Sequence, residues 1–274
     1  MIELFEKELK NNNMHSSKGN QLKWERENIW YKADYTGYEG LSEYIISNLL
    51  LKSTLNSSEF VVYNLEQFKY GDLVLNGAKS VNFLKDKWQI ITLERLFQSF
   101  TQKSLHTSIW TISSPKERLK FLVDSVVDIT GLKDFGIYMN KLLTIDMLFL
   151  NEDRHTHNIA VLMDDKGDFD YCPIFDNGAG LMSDTILDYP VKSDIYKLIG
   201  KVKGKTFLAS LEEQTNISEI LYGENLHFNF TKNDVIKLLD LNGDKKDNIY
   251  PLEIKNRVAN IIFEQMRKYP YLFK

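Results

Sequence analysis

The sequence predicts an α+β fold with two unequal lobes, a small β-rich N-lobe and a larger, mainly helical C-lobe. Two observations support this interpretation. Short segments rich in β-branched and aromatic residues fill the first 95 positions, whereas helical spacing of apolar residues dominates from residue 113 onward. The connection between the lobes therefore lies near residues 95–113, and we assign residues 1–95 to the N-lobe and residues 96–274 to the C-lobe.

The N-lobe is predicted to be a sheet that carries one helix. Runs of β-branched and aromatic residues predict strands at residues 21–24, 29–33, 59–65 and 88–93. The segment 41–51 is too long and too rich in leucine for a strand, and it follows a turn that contains two glycines. We therefore expect a helix there.

The C-lobe helices are predicted by capping signals and by apolar spacing. Ser114 and Pro115 supply an N-cap and a first helical position, and Gly131 is placed to end the same helix. Helical patterns also cover residues 132–150, 231–240 and 251–268.

A β-hairpin is predicted in the C-lobe. Strands at residues 159–163 and 169–175 flank a turn made of aspartates and Gly167. If the strands pair symmetrically about Gly167, Asn158 and Asp176 face each other at the open end. An amide oxygen and a carboxylate held side by side suit a hard cation such as Mg²⁺, which shares its other positions between water and phosphate oxygens.

Asp153 adds a second chemical group beside this hairpin. It precedes Asn158 by five positions, the spacing between the catalytic Asp and the metal-binding Asn of protein kinases. The pattern therefore predicts a base beside a metal site. The alternative is a solvated turn, because a motif as short as Asp-Arg-His-x-x-Asn needs structural context to confirm it. His155 and His157 are interpreted as structural residues, since zinc needs more ligands nearby.

The N-lobe supplies candidates for binding nucleotide phosphates. Lys32 lies inside an alternating β run, where a buried ammonium group needs a partner, and Glu43 lies at the edge of the apolar face of the next helix. Pairing them would reproduce the Lys–Glu pair of kinases, and two separate surface charges are the alternative. A loop at residues 14–21 is a weak candidate for a phosphate loop, because a plain surface turn has the same pattern. Its candidate phosphate-binding residues are Ser16, Ser17, Lys18 and Gly19.

Composition excludes several classes of protein. Hydrophobic residues make up 43% and charged residues 26% of the 274 positions, which excludes a disordered chain. The net charge is −4 and the basic residues are scattered, so we expect no direct contact with nucleic acid or with a membrane. Cys172 is the single cysteine and cannot form an intrachain disulfide. Since no signal peptide or membrane-spanning run is found, we expect a cytoplasmic protein, and export by another route stays open.

Two blocks, residues 149–158 and 173–178, resemble signature motifs of the HipA-like serine/threonine kinases, and of their compact CtkA type in particular. The resemblance covers most of the chain from about residue 14 and includes the strand around Lys32, the start of the helix at Glu43 and residues 80–84. It implies a bilobal fold related to protein and phosphoinositide kinases. It also implies that ATP and Mg²⁺ are used to phosphorylate Ser or Thr hydroxyls of a protein substrate.

The resemblance assigns roles by position. It implies that Asp153 is the catalytic base, that Lys32 contacts the α-phosphate with Glu43 as its partner, and that the metal ligands are Asn158 and Asp176. Relatives often autophosphorylate a serine in the phosphate loop, which here implies Ser16 or Ser17. A phosphoserine there would repel the phosphates of ATP, so we expect such modification to inhibit.

Several alternatives stay open at this point. The chain begins almost at the predicted phosphate loop, without the extra N-terminal subdomain of longer HipA proteins. Whether an antitoxin or another regulatory protein binds it is therefore open. The alternative functions are a small-molecule or phosphoinositide-type kinase, and a nucleotide-binding pseudokinase or toxin–antitoxin interaction module.

Overall fold

The computed structural model describes residues 2–10, 21–241 and 249–274. Within these ranges the N-lobe sheet consists of β1 (Ile2–Leu4), β2 (Lys23–Arg26), β3 (Ile29–Ala33), β4 (Asn64–Tyr70) and β5 (Leu73–Val81). The order across the sheet is β1–β4–β5–β3–β2. Strand β1 runs parallel to β4, and the other neighbours are antiparallel.

Helix α1 (Glu39–Leu50) begins where two glycines allow a close approach to this sheet. A Cβ atom at Gly40 would lie 2.5 Å from the backbone carbonyl carbon of Gly77 on β5. A Cβ atom at Gly77 would lie 2.0 Å from the carbonyl oxygen of Lys32 on β3. Any larger residue would push these elements apart, so the glycines hold α1 near enough to β3 for Glu43 to reach Lys32.

A second sheet joins the end of the N-lobe segment to the predicted hairpin. It contains β6 (Gln89–Thr92), β7 (Ala160–Met163) and β8 (Phe169–Tyr171), in the antiparallel order β6–β7–β8. The hairpin is confirmed, but its second strand ends at Tyr171 and not at residue 175, and its predicted register is wrong. Leu162 pairs with Asp170, which places the centre one position before Gly167. Gly167 takes a left-handed conformation (φ 89°) in the second half of the turn and not at its centre.

The other helices of the described chain follow β6. They are α2 (Leu93–Thr101), α3 (Leu105–Thr111), α4 (Pro115–Thr130), α5 (Phe135–Phe149), α6 (Ile195–Ile199), α7 (Leu211–Tyr222), α8 (Lys232–Leu239) and α9 (Leu252–Lys268). The predicted caps of α4 are confirmed, because the Ser114 hydroxyl accepts a hydrogen bond from the Glu117 N–H and Gly131 is left-handed at φ 75°. None of the helices in the described ranges is long and apolar enough to cross a membrane.

The main hydrophobic core lies among the C-lobe helices and includes α1. Ile45 and Ile46 of α1 are fully buried in the same cluster as Leu142 of α5 and Ile261 of α9. The N-lobe sheet has its own smaller cluster, in which Trp24 packs edge-on against aromatic neighbours. Helix α1 is therefore fixed both by the sheet and by the C-lobe core, and Glu43 has a rigid support.

The strand predicted at residues 59–65 is wrong over its first five residues, because β4 begins only at Asn64. The Val61 N–H donates to the carbonyl oxygen of Ile174 at 3.0 Å, outside any named strand. The Tyr63 N–H donates to the Ser47 hydroxyl of α1, also at 3.0 Å. Val61 and Tyr63 thus pack between α1 and the segment that follows β8. They are apolar because they are buried there, and not because they belong to a strand.

The remaining strand predictions agree with the structure to different degrees. Those at residues 29–33 and 88–93 are confirmed as β3 and β6, and that at residues 21–24 is β2 displaced by two positions. The sequence pattern does not reveal β1, which has three residues, or β5, whose central Asn-Gly pair resembles a turn.

Candidate active site

Lys32 lies at the centre of a buried ion cluster. Its Nζ atom is 2.6 Å from Glu43 Oε1 and 2.7 Å from Asp176 Oδ1, and 5.1 Å from the centre of the Tyr63 ring. Burial opposes the charge of Lys32, but Asp176 and Glu43 outweigh it and raise the pKa of the ammonium group well above its ordinary value. The predicted Lys32–Glu43 pair is present in the structure, and two separate surface charges are excluded.

Asp176 is held as a carboxylate by the cations around it. Burial favours its neutral form, but Lys23 and Lys32 lower the pKa of Asp176 well below its usual range, with a smaller effect from Arg154. The backbone at Asp176 is left-handed, with φ of 62°. This uncommon conformation for a non-glycine residue occurs where the chain leaves the hairpin and turns toward α1.

Two hydrogen bonds tie α1 to the residue after Asp176. The Asn177 N–H donates to Glu43 Oε2 at 2.9 Å, and the Ser42 hydroxyl donates to the carbonyl oxygen of Asn177 at 3.0 Å. Both oxygens of Glu43 are therefore engaged, one by Lys32 and one by the backbone of the 176–178 segment. The position of α1 and that of Asp176 are coupled through this carboxylate.

Asp153 and Asn158 lie together on the loop that precedes β7. The Asn158 amide Nδ2 donates to the Asp153 carbonyl oxygen at 2.9 Å and to Asp153 Oδ2 at 3.3 Å. The other carboxylate oxygen of Asp153 is 2.9 Å from Lys205 Nζ. Because Asn158 uses its nitrogen in these bonds, its amide oxygen is the atom suited to a cation.

A buried ion pair between Arg154 and Asp146 stabilises the loop that carries Asp153 and Asn158. Arg154 Nε donates to both carboxylate oxygens of Asp146 on α5, at 3.2 and 3.1 Å. The same guanidinium donates to the carbonyl oxygen of Phe175 at 2.8 Å and to Asn177 Oδ1 at 2.7 Å. Arg154 therefore joins the Asp153 loop to the segment that carries Asp176, and its role is positioning.

The two histidines of the loop contact each other, with ring centres 5.6 Å apart. Burial lowers the pKa of His155, although Asp153 acts in the opposite direction. Among the residues that the structure describes, no group of three or more His, Cys, Asp and Glu side chains is arranged to hold a metal ion. A site built from Asn158 and Asp176 uses a different and smaller set of protein ligands.

One cleft brings three of the predicted site residues together. Asp153, Asn158 and Asp176 all line it, as does Lys23 from β2. Asp176 favours the charged form of Lys23, but burial and the nearby Lys32 lower the pKa of this ammonium group overall. Lys32 lies behind Asp176. The predicted phosphate loop, with Ser16, Ser17, Lys18 and Gly19, falls outside the described residues.

The donor set of the cleft fits Mg²⁺. Asp176 is ionised, Asn158 presents an amide oxygen, and both line the same cavity. Mg²⁺ usually takes one or two carboxylates from a protein and completes its shell with water and substrate phosphates, so a pair of oxygen donors is sufficient.

Four residues at this site receive no role from the sequence patterns, namely Lys23, Asp146, Arg154 and Lys205. Lys205 comes from a segment 52 positions after Asp153, and no spacing rule connects them. Asp146 carries a recognisable signal, because it stands between Ile145 and Met147 in the apolar last turns of α5, where a carboxylate needs a buried partner.

Comparisons with known proteins show the fold. No protein-family model matches the chain, and no curated protein matches it. Among solved structures, the chain is similar to the Helicobacter pylori proinflammatory kinase CtkA, with a TM-score of 0.64 and 14% sequence identity over 97% of this chain and 95% of that one. The match confirms the predicted α+β, kinase-like bilobal fold.

Proposed function

We propose that this protein is an ATP- and Mg²⁺-dependent serine/threonine protein kinase. The observation that supports the proposal best is the convergence of two groups on one cleft. One is Asp176, through which the Lys32–Glu43–Asp176 ion cluster reaches the cleft, and the other is the Asp153–Asn158 pair. A base, metal-binding oxygens and phosphate-binding cations are the parts that phosphoryl transfer requires. The similarity to a solved kinase structure agrees with this reading.

In the proposed reaction, Asp153 orients the acceptor hydroxyl and accepts its proton. The hydroxyl oxygen forms a bond to the γ-phosphorus of ATP while the bond from that phosphorus to the β,γ-bridging oxygen breaks. The products are ADP and a phosphoester, and the proton passes from Asp153 to solvent. A positioned base typically contributes about 10²- to 10⁴-fold to the rate.

The cations of the cleft stabilise charge on the phosphates. Lys32 is preorganised for this by Glu43, which holds its ammonium group even without a ligand. Lys23 supplies a second cation at the wall of the cleft. Asn158 and Asp176 would hold Mg²⁺, which when bound offsets negative charge on the β- and γ-phosphates.

The test is transfer of labelled phosphate from ATP to generic protein substrates and to the protein itself. We expect Asp153→Asn to lower the rate by about 10²- to 10⁴-fold without unfolding the protein. The matched control is Asp165→Asn, which removes an exposed carboxylate from the β7–β8 turn. Undiminished transfer in Asp153→Asn would refute the role of this residue. A protein that binds ATP and transfers no phosphate would be a pseudokinase.

Mass spectrometry after incubation with ATP tests the prediction of autophosphorylation. We infer that Ser16 or Ser17 is the modified residue, because the resemblance to the HipA-like kinases assigns these serines to the phosphate loop. The modified protein is expected to bind ATP more weakly, since the added negative charge repels the triphosphate.

A second candidate, a phosphoinositide-type kinase, is favoured by one observation. Ile186 and Leu187 follow the cleft-lining Ser183 along the chain and are 68% and 70% exposed. Apolar side chains beside a cleft are also found where a protein meets a membrane surface. Vesicles that contain phosphoinositides therefore belong in the same assay.

A further inference from the structure

The segment 201–206, which follows α6, exposes lysines on one side only. Burial alternates along it, with Lys201 and Lys203 exposed and Lys205 partly buried, whereas the residues between and after them are buried. Such a period of two places the three lysines on the same face of an extended chain. We call Lys201, Lys203 and Lys205 the lysine row.

The lysine row ends at the proposed catalytic base. Lys205 Nζ lies 2.9 Å from Asp153 Oδ1. The next residue, Thr206, donates its hydroxyl to the carbonyl oxygen of Arg154 at 2.7 Å. Since two residues span at most about 7 Å of chain, Lys203 lies within about 7 Å of Lys205 when measured between Cα atoms. The row therefore leads from solvent directly to Asp153.

The segment is held firmly against the C-lobe. The Gly204 N–H donates to the carbonyl oxygen of Ala209 at 2.9 Å. A Cβ atom at Gly204 would lie 2.0 Å from Gln214 Nε2 on α7, so the backbone is in close contact with that helix. This packing fixes the spacing of the lysines before any ligand binds.

The outer charges of the row are not neutralised by the described part of the chain. No acidic side chain in residues 2–10, 21–241 or 249–274 forms an ion pair with Lys201 or Lys203. Between Lys192 and Lys205, Asp194 is the single acidic residue. A locally positive surface therefore exists beside the cleft although the net charge of the protein is −4.

We propose that the lysine row binds an acidic peptide and thereby selects acceptor serines or threonines that have Asp or Glu at alternate positions near the acceptor. This inference rests on the proposed kinase function and names its substrate class. A linear row matches an extended peptide, whose side chains on one face repeat every second residue. An inositol headgroup would need cations grouped around one point, whereas these lysines are spaced along the chain.

The test compares two acceptor peptides of the same length. One peptide has Glu at two alternate positions on one side of a serine, and the other has Gln at the same two positions. Each peptide is made in two orientations, with these positions either before or after the serine. We expect the unmodified protein to phosphorylate the Glu peptide with the higher kcat/KM in one orientation. Lys201→Glu with Lys203→Glu is expected to lower the Glu-to-Gln ratio roughly 2- to 30-fold, from two exposed ion pairs.

The matched control changes the same total charge elsewhere. Lys116 at the start of α4 and Lys133 after α4 are both exposed, and neither lines the cleft. We expect Lys116→Glu with Lys133→Glu to keep the Glu-to-Gln ratio of the unmodified protein. Circular dichroism and thermal unfolding verify that both double variants are folded.

A binding measurement separates this inference from the proposed function. Fluorescence anisotropy of a labelled Glu peptide without nucleotide is expected to show binding that weakens with salt and is lost in Lys201→Glu with Lys203→Glu. Such binding supports the inference even if no phosphate is transferred, an outcome that overturns the proposed function alone. Three results would overturn the inference. They are equal kcat/KM for the Glu and Gln peptides, an unchanged Glu-to-Gln ratio in Lys201→Glu with Lys203→Glu, and phosphorylation of phosphoinositide vesicles that depends on the lysine row.

Discussion

The charged groups on the two sides of the cleft differ in their exposure to water. On the proposed nucleotide side, Lys32, Glu43 and Asp176 are joined by contacts of 2.6 and 2.7 Å, and their side chains are 10%, 1% and 19% exposed. On the proposed acceptor side, Lys201 and Lys203 are exposed. Buried charges interact strongly and are costly to leave without a partner, whereas exposed charges are screened by water. The buried cluster therefore sets geometry, and the exposed row is suited to selecting a partner.

The largest effect on stability is expected at the buried Arg154–Asp146 pair. Arg154→Met leaves Asp146 buried without its cation and removes the support of the Asp153 loop. The free energy of unfolding should fall by about 3–5 kcal/mol, as measured by urea denaturation. The matched control is Asp124→Asn, which breaks an exposed pair with Lys120 on α4. A loss of less than about 1 kcal/mol is expected there. Equal losses in both variants would contradict the contrast between buried and exposed charges.

A smaller effect on stability, which depends on pH, is expected at Asp34. This carboxyl group is hydrogen-bonded by the Gly40 N–H at 2.6 Å and the Tyr250 hydroxyl at 2.8 Å, and no described cation forms an ion pair with it. Burial raises the pKa of Asp34 to about 7, with Glu39 adding to the effect and the two hydrogen bonds opposing it. Asp176, which is likewise only partly buried but lies beside Lys23 and Lys32, has its pKa lowered instead.

The sign of the pH dependence follows from this difference. Asp34 has a higher pKa in the folded protein than in the unfolded chain, so its contribution to stability is present below pH of about 4 and is lost as the pH rises through about 7. Asp34→Asn should remove roughly 2–3 kcal/mol of the stability change between pH 5 and pH 8. Denaturant unfolding at both pH values measures it, and an identical pH dependence in the variant would show that Asp34 is ionised throughout.

Local signals in the sequence predict much of the fold. Caps at Ser114 and Gly131 place α4 to the residue, and alternation places β3. The strand predicted at residues 59–65 is wrong because Val61 and Tyr63 pair with a loop and a side chain that are distant in sequence. Long-range burial selects apolar β-branched residues as a strand does, so composition does not separate the two cases.

The sequence predicts those residues of the candidate site that are separated by a fixed spacing, such as Asp153 and Asn158, which are five positions apart. The predicted hairpin register was one position off at its centre, yet Asn158 and Asp176 still line one cleft, because the chain leaves the ladder after β8. The net charge of the whole chain does not reveal the lysine row. Net charge and scattered basic residues describe the total, whereas the alternation of lysines over residues 201–205 is a local pattern.

We propose that Lys32, Asn158 and Asp176 belong to one site for ATP and Mg²⁺. Calorimetric titration of ATP tests it directly, in Mg²⁺ and in EDTA, with the unmodified protein and with Asp176→Asn. We expect ATP binding that depends on Mg²⁺ in the unmodified protein and a loss of that dependence in Asp176→Asn. Absence of ATP binding, or the same response to Mg²⁺ in Asp176→Asn, would contradict it.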